Sequence, residues 1–237
     1  MISIVIPCFN EEEGLEHLAS KLKDLEQDLR EDHEFVFVDD GSSDSTYDRL
    51  RSLYRDRIGN DVKVVKHAKN TGVGAAIKTG ASNSRGDYIA TIDSDCTYEP
   101  SYLVKMLDII KNENADIVTA SPYHPKGSTL NVPAYRLFLS RNLSNLYNIV
   151  VKSKFYTYTS MFRIYKREAL KNSYFRSDGF LAMAEILIKA RKKGLKIVEY
   201  PATLKVRQFG SSHAKSLKLI REHLCFIMRT LLRKENA

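Results

Sequence analysis

The chain has 237 residues, with 37 Lys+Arg against 29 Asp+Glu and a formal net charge of +8. Its 43% apolar and 28% charged residues are the make-up of a globular protein and exclude wholesale disorder. No apolar run approaches the roughly 18 residues of a membrane-spanning helix, and three scattered cysteines without a CxxC pair argue against a disulfide framework or a zinc site.

Taken in order, residues 2–6, 34–38, 62–67, 88–92 and 116–120 are short runs rich in Val and Ile, read as strands. Between them, residues 12–29, 45–57, 73–82 and 101–112 carry apolar residues at helical spacing. That alternation predicts an α/β fold, a Rossmann-like, mostly parallel sheet with helices on both faces. The first segment is a strand pattern without a basic n-region, so no secretory signal is expected and the reducing cytoplasm is the expected location. Beyond residue 120 the pattern changes. Residues 121–133 read as a loop, 135–151 as a helix, 157–165 as a strand and 179–193 as a helix. One or two strands follow in 196–206, then an amphipathic helix at 216–234. The whole reads as one domain, 1–237.

Four polar segments sit where this pattern ends its strands, the place where open parallel sheets bind ligands. The first is Pro7-Cys8-Phe9-Asn10-Glu11-Glu12, in which Asn10 also suits a helix cap. The second is Asp39-Asp40-Gly41-Ser42-Ser43-Asp44. An Asx turn accounts for Gly41 and Asp44, but two adjacent carboxylates ask for a donor-rich ligand such as a base or ribose. The third, Asn70-Thr71-Gly72-Val73-Gly74-Ala75-Ala76, is a glycine turn that suits either phosphate contact or close helix–sheet packing. It follows the third strand, the wrong place for a dinucleotide fingerprint. The fourth is Asp93-Ser94-Asp95. In extended chain, positions i and i+2 face one side, so both carboxylates converge as hard oxygen ligands for Mg²⁺ or Mn²⁺. Together these predict a nucleotide-diphosphate site with a divalent cation. Cys8 and Cys96 flank two of the segments, and if the first and fourth strands are neighbours, nucleotide plus metal should shield both thiols from alkylation.

In this order the segments resemble family-2 glycosyltransferases of the glycosyltransferase-A fold, most of all the dolichol/polyprenyl-phosphate mannosyl- or glucosyltransferases. Residues 163–170, Gly179-Phe180, 185–190, 201–207 and Gly210-Ser211-Ser212 extend the resemblance over nearly the whole chain. It implies a nucleotide-sugar-binding half at 1–120 and an acceptor-binding half at 121–237. Pro7, Phe9, Asn10, Glu11, Asp39, Asp40, Asn70, Gly72 and Asp93 would bind the nucleotide, with Asp40 reading the base. Asp93 and Asp95 would hold the metal-bound diphosphate, and Arg136, Ser140 and Arg207 the acceptor phosphate or leaving diphosphate. Asp93, Asp95, Arg136 and Arg207 would then carry catalysis. An acceptor phosphate is already ionised and needs no strong base, so positioning and charge neutralisation suffice. In-line attack inverts the anomeric carbon.

The chain departs from the subgroup on the acceptor side. Thr157 and Met161 stand where an acid and a glycine are usual, Pro122 where an arginine is, and Thr97 where a glutamine is common. The expected reaction is transfer of a hexose from a UDP- or GDP-sugar to a polyprenyl (dolichyl or undecaprenyl) phosphate. Two alternatives stay open, a hydroxyl acceptor and a nucleotide-sugar-binding protein without turnover. The last helix and the basic charge add an expected peripheral contact with the cytoplasmic membrane face. No aromatic–basic platform for nucleic acid is present.

Overall fold

The Val/Ile-rich runs become strands because each sits on both sides of a sheet covered by helices. A computed structural model describes residues 1–210 and 216–232. The first half comprises β1 (Ile2–Cys8), α1 (Leu15–Asp28), β2 (His33–Asp39), α2 (Thr46–Leu53), β3 (Val62–Lys66), α3 (Val73–Asn83), β4 (Tyr88–Thr91), α4 (Tyr102–Asn112) and β5 (Ile117–Ser121). The second half comprises β6 (Ser128–Leu130), α5 (Ala134–Val151), β7 (Arg163–Lys166), α6 (Arg167–Asn172), α7 (Leu181–Lys192), β8 (Ile197–Pro201), β9 (Thr203–Lys205) and α8 (Ser216–Leu232). Ser211 and Ser212 of the motif, and Arg233 and Lys234 at the end of the final helix, lie outside the described residues.

Among the described residues, one sheet runs in the order β3-β2-β1-β4-β7-β5-β8, and β6 pairs with β9 in a small ribbon. The order reverses at β1, whose two partners β2 and β4 both run parallel to it. Ile2, Ile4, Ile6 and Cys8 face one core with α1, α2 and α4, while Val5 faces another with α3 and α7. That is the two-residue period of a strand buried on both faces. Each fully buried Ile or Leu contributes about 1.5–3 kcal/mol.

Besides the short β6, inside the stretch read as a loop, and α6, in a stretch given no element, three features depart from the sequence reading. β7 runs antiparallel between β4 and β5, so the sheet is mixed at that point. Of the predicted strand at 157–165, only the end pairs. Residues 157–162 form a loop whose amides and carbonyls are taken by side chains: Glu199 accepts from Tyr156 and Thr157 N–H, and Arg163 donates to Tyr158 O. Helix α1 starts at Leu15 and not at residue 12, because the Glu11 and Glu12 amides donate to Thr46 Oγ1 and Asp44 Oδ2.

Candidate active site

The carboxyl ends of β1 and β4, on either side of the strand-order reversal, open on a cavity of about 620 Å³. Pro7, Phe9, Glu11, Asp40, Asn70, Gly72, Asp93, Asp95, Arg136, Ser140 and Arg207 line it, which brings together most of the residues the sequence nominated. Asn10 and Asp39 are not among them. Asn10 takes a left-handed backbone (φ 54°) and its side chain accepts from Ser43 N–H. Asp39 is fully buried, accepts from Ser42 N–H at 3.1 Å and has Lys66 Nζ at 4.0 Å. Both fix the Gly41–Ser43 turn and stand behind the cavity wall.

Asp40 lines the cavity but is already heavily engaged. Its carboxylate accepts from Thr71 N–H, Thr71 Oγ1–H and Gly72 N–H at 3.0, 2.7 and 2.7 Å, with His67 Nδ1 also at 2.7 Å. It thereby anchors the glycine turn. Gly72 has φ +106°, and a Cβ there would meet Asp178 O at 2.4 Å. Close approach of the chain around residue 178 is therefore what the structure asks of this glycine.

Asp93 and Asp95 do converge, but by a turn and not by the pleat. β4 ends at Thr91, residues 94–95 turn, and Cys96 adopts φ 52°. Thr97 N–H donates to Asp95 Oδ1 at 3.1 Å, which holds the second carboxylate. Burial, then the neighbouring Asp95 charge, pushes the Asp93 carboxyl well above the ordinary carboxylate range. Burial likewise raises Glu11, opposed by Arg207. Arg207 bridges the acids: its guanidinium pairs with Glu11, and Nε lies 3.1 Å from Asp95 Oδ2. No group of three or more His, Cys, Asp or Glu able to hold a metal occurs among the described residues. A two-carboxylate oxygen set suits Mg²⁺ or Mn²⁺, which take their remaining ligands from substrate phosphates and water.

On the far side of Asp93 the cavity runs into an annex of about 170 Å³. Thr157, Thr159, Ser160 and Met161, from the loop 157–162, form part of its wall. Thr157 and Ser121 hydroxyls lie 2.8 Å apart, and Thr91 Oγ1 donates to Met161 O at 2.5 Å. Behind the loop, the fully buried Arg163 donates to Thr119 Oγ1, Met183 O and Tyr158 O at 3.0, 2.6 and 2.7 Å. Thr97, Tyr123, Phe180, Leu204, Lys205 and Glu222 also line the cavity. Lys205 falls in the 201–207 stretch of the resemblance without a role of its own there, and Glu222, on α8, had no signal, since it lies in no strand-end motif of the first half. Cys8 lines the cavity, whereas Cys96 does not. The expectation that both thiols border the donor narrows to Cys8.

Residues 3–173 match the Glycosyl transferase family 2 domain. The dolichol-phosphate mannosyltransferase of Pyrococcus furiosus is 32% identical over 232 residues, 97% of this chain and 63% of that protein. This chain thus spans less than two thirds of that relative's length. The polyprenol monophosphomannose synthase of Mycolicibacterium smegmatis is 28% identical, covering 88% of this chain and 79% of its own. Among solved structures, glucosyl-3-phosphoglycerate synthase from Mycobacterium tuberculosis, with Mn²⁺, UDP-glucose and phosphoglyceric acid, superposes with a TM-score of 0.74 at 19% identity. That match covers 98% of this chain and 79% of that one. The domain match takes in both acid-bearing strand ends and the glycine turn, the sheet order is that of the glycosyltransferase-A fold, and this chain accordingly belongs to glycosyltransferase family 2.

Proposed function

We propose that the protein transfers a hexose, with inversion, from a nucleotide-diphosphate sugar to a polyprenyl phosphate, assisted by Mg²⁺ or Mn²⁺. The observation that carries this reading is one cavity with an acid end, where Arg207 sits against Glu11 and Asp95 beside Asp93, and with Arg136 as a further cation in its wall. Asp93 and Asp95 suit a cation-bound diphosphate, and that cation would carry part of the leaving group's charge. Arg136 and Ser140, on α5, and Arg207 suit a second phosphate. Residues 1–120 supply the donor side and 121–237 the acceptor side. An ionised phosphate acceptor asks for positioning and charge stabilisation, which these residues offer without a general base. The two mannosyltransferase relatives, both named for polyprenol-type lipids, point the same way.

The flank of the cavity supports a lipid acceptor at the cytoplasmic membrane face. Tyr135, Phe138 and Leu139 on α5 and Ile220, Leu224, Met228 and Leu231 on α8 are exposed, among exposed Arg136, Arg141, Arg221 and Arg229. Apolar side chains rimmed by basic ones suit an anionic interface. No helix among the described residues is long and apolar enough to cross a membrane.

A hydroxyl-bearing acceptor is the second reading, favoured by one arrangement. Glu199, raised by burial, neighbours Ser121, whose hydroxyl meets that of Thr157 on the annex wall. That line of groups would serve as a proton path.

The test begins with thermal shifts for UDP, GDP and CDP with and without Mn²⁺. Ligand at about 100 times its dissociation constant stabilises by roughly 2.7 kcal/mol, about 5–11 °C for a chain of this size. The diphosphate that shifts is then supplied as its labelled hexose derivative with a polyprenyl phosphate. Metal-dependent movement of label into the lipid phase is expected. Label that moves only to a glycan hydroxyl, and is lost in Glu199→Gln, would favour the second reading. A metal-dependent shift without transfer to either would leave a donor-binding protein.

A further inference from the structure

The annex beyond Asp93 has one acid and no cation in its wall. Asp93 is that acid, and the other polar groups are hydroxyls, including those of Thr97, Tyr98, Thr157 and Ser160. Ser160 Oγ is buried without a well-formed hydrogen bond, and the Tyr98 hydroxyl is its neighbour. A phosphate dianion has nothing to pair with there, so the acceptor phosphate belongs at Arg136 and Arg207. A neutral polyol fits, because hydroxyls can both donate and accept. The volume of about 170 Å³ is room for roughly five or six liquid waters at ~30 Å³ each, the scale of a single pyranose ring.

Met161 stands at the junction, lining the main cavity and the annex alike. Its carbonyl is tied to Thr91 and Phe162 beside it is buried, so its backbone is held and its side chain sets the width. On the reading that the acid end binds a nucleotide-diphosphate sugar, we infer that the annex is the sugar pocket and that Met161 restricts it to unsubstituted, neutral hexoses. An acetamido group on the ring has to displace the Met161 thioether. A hexuronate would bury its carboxylate among hydroxyls, in a wall without a Lys, Arg or His to pair with it, and a buried unpaired charge is costly.

The experiment compares calorimetric binding, with Mn²⁺, of bare UDP and GDP and then of the hexose, N-acetylhexosamine and hexuronate derivatives of whichever binds. Wild-type protein should bind the hexose form at least as tightly as the bare diphosphate and the other two about tenfold more weakly, the ratio a misfitted group costs in a pocket. Met161→Ala should recover the N-acetylhexosamine form and leave the hexuronate form weak. Met161→Leu, of similar volume, should keep the wild-type order and shows that the loop tolerates change. Equal wild-type binding of all three derivatives would overturn the inference, as would Met161→Ala improving both substituted forms alike. Those outcomes leave the donor site standing. No binding of UDP or GDP would overturn the donor-site reading, and this one with it.

Discussion

Arg207 is the side chain on which the acid end balances. It faces Glu11 and Asp95 from a segment close to the other end of the chain. Replacing it with Ala leaves those carboxylates and Asp93 without their nearest protein cation. Transfer should fall about 10²–10³-fold, the scale of losing one group that stabilises charge in the transition state, and Arg207→Lys should recover only part of it. Steady-state transfer assays check both. The thiols give a second residue-scale prediction. Burial raises Cys8 well above the ordinary thiol range, with help from Glu11, Asp39 and Asp44, and pushes Cys96 up to about 12. Both stay protonated at neutral pH and react slowly. Cys225 is exposed. Iodoacetamide followed by mass spectrometry should therefore find one fast site, Cys225, with nucleotide protection confined to Cys8.

The cavity lining was legible where a side chain's position depends on its own strand end. Pro7, Phe9, Glu11, Asp93 and Asp95 follow from the ends of two parallel strands, and the switch-point rule places them together. Asn10 and Asp39 were misplaced because their partners, Ser42 and Ser43, decide which way they face, and that pairing is invisible in a linear pattern. Asp40 illustrates the same limit, since its four donors come from residues 67–72.

At the scale of elements, α8 docks on α5 through a buried polar pair. Tyr147 Oη and His223 Nδ1 are 2.6 Å apart, and burial lowers His223 to about 4 from an ordinary 6.5. The unfolded chain then takes up the proton first as pH falls. The stabilisation is complete above about 6.5 and is lost progressively towards pH 4, by up to about 3 kcal/mol. Urea unfolding at pH 7 and pH 5 should show this loss, and His223→Gln, which does not titrate, should flatten it. A second element-scale test concerns α3. A Cβ at Gly80 would lie 2.2 Å from Val5 Cγ1, so Gly80→Ala should cost about 1–3 kcal/mol by overpacking the α3–β1 contact. The alternating elements of the first half were readable because most of its strands are buried on both faces, the edge strand β3 being the exception. The stretch 157–165 was not. Its alternation of apolar and polar residues imitates a strand, while Glu199 and Arg163 claim the backbone groups a sheet would need.

For the molecule as a whole, the exposed apolar rows of α5 and α8 share the cavity's flank with basic side chains. Phe138 is 67% exposed, an unusual position for a side chain of that size in water. Phe138→Glu together with Leu224→Glu should weaken binding to anionic liposomes about tenfold in a co-sedimentation assay, with nucleotide binding unchanged. Raised salt should weaken the wild type as well. Equal sedimentation of both proteins would remove the membrane from the reading.

The antiparallel β7 has a consequence for how such a chain is made. Strands β3, β2, β1 and β4 are neighbours in the sheet and complete once residue 91 has left the ribosome. β5 follows within about thirty residues of chain, yet its place beside β4 is held by β7, which is not synthesised until residues 163–166. Until then a nascent chain carries an unpaired β4 edge and a waiting β5. The Arg207–Glu11 pair, 196 positions apart, closes later still. The acid end of the cavity thus gains its arginine only after the sheet that supports it has joined.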